Sequence, residues 1–154
     1  MRLLLQGFIA VVLAGSAGAA DRVVAYRIVD ARAIPDSLTG RPGDPDAGRA
    51  LFLDEKLARC AGCHGVIGDA SAAPGAPEAP PLDDIGRRLG EGAIRLWLVA
   101  PQVAEPGTRM PAFYALGQRD DPADPRFGEP LLTAVEIENL VAYLARQTDT
   151  PDTP

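Results

Sequence analysis

The sequence predicts an all-α domain, and three segments carry that expectation. Residues 133–144, "TAVEIENLVAYL", open with Thr133 and Glu136 at capping-box spacing. Ile137, Leu140, Val141 and Leu144 then recur at helical intervals, with Tyr143 flanking the stripe. Residues 82–100, "LDDIGRRLGEGAIRLWLVA", read as a turn followed by a helix of about ten residues that Pro101 stops. In "PGDPDAGRALFLDEKLARC", Asp44-Pro45 or Asp46 offers a helix start, and Ala50, Leu51, Phe52 and Leu57 give one apolar side. That helix is expected to lead straight into Cys60 and to cross the helix after Thr133.

The remaining segments follow in chain order. "MRLLLQGFIAVVLAGSAGAA" has a basic Arg2, an apolar run from Leu3 to Ala14, and Ala17-Gly18-Ala19 at the place of a cleavage site. Residues 1–20 are therefore read as a signal peptide, and the mature protein is expected in a Gram-negative periplasm. As a membrane span the run is too short, because roughly 20 apolar residues are needed and Gln6 and Gly7 interrupt it. No stable membrane insertion is expected.

Residues 21–41 read as an N-terminal arm in which Val23, Val24, Tyr26, Ile28 and Val29 could make one short strand. A lone strand has no sheet to join, so the arm is expected to pack on the domain or on a partner. "GDASAAPGAPEAPP", "QVAEPGTRMPAFYALG" and "QRDDPADPRFGEP" are loops by their Gly and Pro content. The tail over 148–154 has nothing to bury and is expected to be disordered. The domain proper spans about residues 42–147, and the chain of 154 residues is long enough for one modest core.

Composition narrows the function. Net charge is -6 and Lys56 is the only lysine, which excludes the dense cationic face that nucleic acid requires. The chain has two cysteines and one histidine, all within "CAGCH", residues 60–64. C-x-x-C-H is the attachment signature of c-type haem. The sulfurs of Cys60 and Cys63 add to the porphyrin vinyl groups, and His64 reaches the iron from the proximal side. One tight helical turn places both thioethers at the ring edge and the imidazole over its centre. A zinc site is the weaker reading, because it needs four ligands and this chain supplies three closely spaced ones. A thioredoxin-like pair would need a βαβ context, which these flanks lack.

A haem held below by His64 has a second axial position. Met110 is the only methionine beyond Met1 and stands 46 residues after His64, in a loop between Pro106 and Pro111. It is read as the sixth ligand; a core-filling role for Met110 and Lys56 as ligand are the alternatives. His/Met ligation fills both axial sites and raises the reduction potential, which points to electron transfer rather than chemistry at iron.

Here the sequence resembles a family. Leu98, Pro101 and the run Pro106-Gly107-Thr108-Arg109-Met110, followed by Ala112-Phe113, are similar to the methionine-ligand region of class I cytochromes c. In that family an aromatic lies near the ligand sulfur, and Trp97 occupies its place. "APPLDDIGRRL" resembles the segment whose proline carbonyl accepts the proximal His N–H, which assigns that role to Pro80. Ala79 stands where the family often has Gly. Arg87 or Arg88 matches an arginine near a haem propionate; the bland reading of each is a solvated charge at a helix end.

"DSLTGRPGDPDAGRALF", "CAGCHG", "PPLDDIG", "RMPAFY" and "LLTAVEIENLVAYL" extend the resemblance to the X subunit of the Sox thiosulfate-oxidising cytochrome complex. It implies one covalent haem c, pairing with a larger A subunit, and oxidative coupling of thiosulfate to a carrier-protein cysteine. The sulfur chemistry lies on the A chain, and the X chain passes electrons to a soluble cytochrome c. The rival readings are a free diffusible periplasmic carrier and a haem-based ligand sensor. A catalytic centre within this chain is not expected, since no cysteine or second histidine remains for it.

Overall fold

The computed structural model describes residues 23–69, 76 and 79–148. The expected signal peptide, most of the loop after Gly68 and the tail beyond Thr148 lie outside the described residues. Six helices follow in order: α1 (Pro45–Leu53), α2 (Cys60–His64), α3 (Ile85–Arg88), α4 (Glu91–Val99), α5 (Pro101–Ala104) and α6 (Ala134–Leu144).

Helix α1 begins where the sequence places it. The Asp44 carboxylate accepts from the Asp46 and Ala47 amides, and Pro45 fills the first helical position, where a missing N–H costs nothing. The helix does not run on to Cys60. Asp54 Oδ1 takes the Lys56 and Leu57 amides at 2.7 and 2.9 Å, which turns the chain out of the helix. Leu57 therefore lies in a turn. Arg59 adopts a left-handed conformation (φ 54°) before α2 starts.

Helix α6 has the expected capping box. Thr133 Oγ1 accepts from Glu136 N–H, and the Glu136 carboxylate accepts from Thr133 N–H. Its face of Ile137, Leu140, Val141 and Leu144 is buried. Helix α1 packs directly on it. Gly48 is buried, and a Cβ there would overlap the Asn139 carbonyl, so glycine is what lets the two backbones approach. Phe52 and Tyr143 stack tilted at 5.6 Å beside this crossing. At this crossing backbone therefore meets backbone. Gly86 makes a similar close approach at the far end of α6, donating its N–H to Gln147 O at 2.8 Å. This anchors α3.

Pro101 ends α4 and opens the short α5, so the proline is a joint rather than only a stop. The segment after α5 returns to the core: Phe113 N–H donates to Leu98 O, and Leu132 N–H donates to Phe113 O just ahead of α6. The polar loop between is ordered by Arg119, whose guanidinium donates to Pro130 O, Leu131 O and Asp124.

The arm forms no strand among the described residues; Val29 and Ala33 make a single bridge. Asp30 and Ala31, both at positive φ, turn the chain between them. After this turn the arm joins the domain. Ile34 is 0 % and Leu38 6 % exposed, and both belong to the core. Ile34 N–H donates to Gly92 O at 2.9 Å. A buried ion pair lies beneath: Arg95 on α4 and Glu138 on α6. Arg95 also donates to Ile34 O, and Glu138 Oε1 also accepts from Leu38 N–H.

Candidate functional site

The site is built on α2, a single helical turn with Cys60 half-buried, Cys63 exposed and His64 half-buried. The turn entering it is fixed by the Asp54 carboxylate, whose bonds from the Leu57 and Lys56 amides hold it below the usual carboxylate range. Both cysteines are free rather than joined to each other. Cys60 packs against the core, and burial pushes its thiol up to about 12.

That environment bears on the rival readings. A reactive redox thiol needs a lowered pKa, and the surroundings of Cys60 act in the opposite direction. Among the described residues no three His, Cys, Asp or Glu side chains are grouped to hold a metal ion.

His64 Nδ1 lies 2.8 Å from Pro80 O. A carbonyl only accepts, so Nδ1 carries the proton and the lone pair belongs to Nε2. This is the arrangement by which a backbone carbonyl fixes the ring and tautomer of a metal-binding histidine. The contact spans 16 residues and joins α2 to the segment before α3, so the local turn and the fold together orient the ring.

Met110 is half-buried and, like Cys60, packs against the single hydrophobic core. It lies outside any helix. Its carbonyl accepts from Gln102 Nε2 at 3.1 Å, and its amide donates to Thr108 Oγ1 at 3.3 Å. Trp97 is half-buried on α4, one residue before Leu98, the residue that anchors Phe113.

Arg87 and Arg88 both pair with Asp84, at 2.9 and 2.7 Å, and Arg88 also donates to Pro81 O. The hydrogen bond from Arg88, with that from Arg87 behind it, holds the Asp84 carboxyl below its usual range. Both guanidinium groups are thus tied beside Pro80 and Pro81 while remaining substantially exposed.

The donor set fits a covalently attached haem: two sulfurs and an oriented imidazole on one turn, with a thioether in a loop on the same core. Sequence reasoning gave no role to Asp54, which fixes the turn into α2, or to Arg95 and Glu138, which join α4 to α6. The available signal was Arg95, a charge inside the apolar run Ile94–Val99.

The Cytochrome c family model matches residues 45–148. Among solved structures, the chain is similar to a chain of SoxXA from P. pantotrophus, at 33% identity and a TM-score of 0.67, covering 80% of this chain and 95% of that one. Among curated proteins none matches. Members of the cytochrome c family carry covalently attached haem c and transfer electrons. The matched residues include the whole C-x-x-C-H turn, Met110 and the capped α6, and no strand interrupts the described helices. The chain belongs to the cytochrome c family, as a SoxX-like cytochrome of all-α, class I fold.

Proposed function

We propose that this chain is the monohaem electron-transfer subunit of a periplasmic heterodimer that couples thiosulfate to a carrier-protein cysteine. The observation that carries the reading is the 33% identity to a SoxXA chain across nearly all of that chain. In the coupling, a carrier thiol and thiosulfate join through a new S–S bond, releasing one proton and two electrons. The larger partner subunit holds the sulfur chemistry. This chain takes the electrons one at a time and hands them to a soluble cytochrome c.

Cys60 and Cys63 would hold one haem as thioethers, and the Nε2 of His64 and the sulfur of Met110 would be the groups offered to its iron. Haem bound there supplies one-electron ferric/ferrous chemistry. The chain's own residues set its terms. The Pro80 carbonyl keeps the His64 proton on Nδ1 and raises the basicity of Nε2. The Met110 thioether favours the ferrous state. The resemblance assigns Trp97 the place of the aromatic beside the ligand sulfur, and Arg87, held by Asp84, would offer its remaining donors to a propionate. With both His64 and Met110 bound to the iron, no position would be left for dioxygen or peroxide, which suits an electron carrier.

Export by the segment over 1–20 places the protein in the periplasm. No helix of the described residues is long and apolar enough to cross a membrane.

Purification from the native host tests the reading. A stable second, larger chain and a mass increase of one haem per chain are expected. A chain that purifies alone and still exchanges electrons would make it a free diffusible carrier instead.

A further inference from the structure

The arm touches the frame that carries Met110 at several points. Val24 N–H donates to the Tyr114 hydroxyl at 2.9 Å, four residues beyond Met110, and the Tyr26 ring lies against Tyr114 at 6.5 Å. Tyr114 itself is 2 % exposed. Farther along, Ile34 and Leu38 bond to Arg95 and Glu138, and Arg95 stands two residues before Trp97. The Met110 segment is fixed to this same frame through Phe113 on Leu98 and Leu132 on Phe113. By contrast the Met110 amide is held by the Thr108 hydroxyl at 3.3 Å, a weak bond.

A ligand on a loop competes with external ligands through the population of the open loop. The apparent affinity of an added ligand equals its intrinsic affinity scaled by that open fraction. Ferric iron binds a soft thioether weakly, so the oxidised state is where loop opening is most easily read. Contacts that hold the closed segment therefore act on the sixth position without touching it.

We propose that the arm is a brace for Met110, with Tyr114 as a positioning residue through which it acts. The inference rests on Met110 being the sixth ligand. It assigns the arm a task toward the cofactor, separate from any partner.

The test uses the full-length ferric holoprotein titrated with imidazole, followed by absorbance. Tyr114→Phe removes the hydroxyl and keeps the ring. Val24→Pro removes the N–H donor and leaves Tyr114 intact. Val24→Pro is expected to bind imidazole about fivefold more tightly than wild type, the equilibrium equivalent of one ordinary hydrogen bond, and Tyr114→Phe at least as tightly as Val24→Pro, with haem still attached in both. Met110→Ala sets the fully open limit and should bind far more tightly than either. Wild-type affinity in both brace variants, with only a lower melting temperature, overturns the inference and leaves the Met110 reading standing. Wild type that binds imidazole as tightly as Met110→Ala removes the Met110 reading, and the brace with it.

Discussion

Arg95 and Glu138, 43 residues apart in sequence, meet through parallel hydrogen bonds of 2.8 and 2.9 Å at 2 % and 3 % exposure. The planar guanidinium and the carboxylate satisfy each other in a bidentate fork. Their remaining capacity goes to the arm, through Ile34 O and Leu38 N–H. The pair thus joins α4, α6 and the arm inside an otherwise apolar core.

Removing one partner leaves the other charge buried and unpaired, a cost of about 3–5 kcal/mol. Glu138→Gln and Arg95→Met are each expected to lose stability of that order in chemical denaturation. A double replacement by apolar residues should recover much of the loss, because the desolvation of both charges is then removed. A single replacement that leaves the denaturation midpoint unmoved contradicts the account.

This pair also shows where the sequence is readable and where it is not. Helix α6 is legible because its cap, its stripe and its length are all local. The haem turn is legible because its chemistry is contiguous in Cys60, Cys63 and His64. The proposed sixth ligand, Met110, is reached by elimination, since the composition leaves no other methionine beyond Met1. Pairings across the fold have no local trace: nothing in the neighbourhood of Glu138 names Arg95 as its partner. The arm misleads for the same reason. Val23, Val24, Tyr26, Ile28 and Val29 suggest a strand, but a strand needs a partner, and the positive φ of Asp30 and Ala31 turns the chain before any ladder forms. Helix α1 stops early because one side-chain carboxylate, Asp54, competes for the amides that would continue it.

Gly48 offers a test of the α1–α6 crossing. A methyl group there meets the Asn139 carbonyl and the Tyr143 Cβ, and backbone cannot yield as a flexible side chain can. Gly48→Ala should destabilise by about 1–3 kcal/mol or more through overpacking, despite alanine's better helix propensity. Gly62→Ala, in α2 with nothing near its Cβ position, is the matched control and should not destabilise the fold. Equal melting temperatures for the two variants would mean the helices are not in close contact.

The acidic side of the stability profile follows from Asp84. The Arg88 hydrogen bond, then the nearby Arg88 and Arg87 charges and the Arg87 bond, lower its folded pKa below the unfolded value of about 3.9. A lowered carboxyl contributes stability that is present above the unfolded pKa and is lost as pH falls through the folded one. Asp84→Asn should therefore be less stable than wild type at neutral pH. The difference should shrink as pH falls below about 4 and vanish once Asp84 is protonated in both states. Denaturation midpoints of both proteins across this range check it; a difference that persists undiminished in acid would point to lost packing rather than lost charge.

The arm divides into a part that belongs to the core and a part free to meet a partner. Ile34 and Leu38 are buried, and burying such side chains stabilises by about 1.5–3 kcal/mol each. A truncation through residue 38 would remove both and leave Arg95 and Glu138 short of two bonds, so it would report on folding and not on association. Val24 and Tyr26 are 44% and 39% exposed, and with Ala25, Arg27, Asp36, Ser37 and Leu38 the tyrosine and its neighbours line an open cleft of about 330 Å³. If the heterodimer uses this end of the chain, a point change there should separate the two roles. Val24→Glu is suited to this, because the backbone amide that donates to Tyr114 is retained while the exposed side chain becomes charged. The isolated chain should keep its melting temperature and haem spectrum, and its affinity for the larger subunit should fall by at least about tenfold, since a buried unpaired carboxylate is costly at an interface. Unchanged affinity in this variant would place the partner's contact elsewhere and leave the arm as an internal element of the cytochrome.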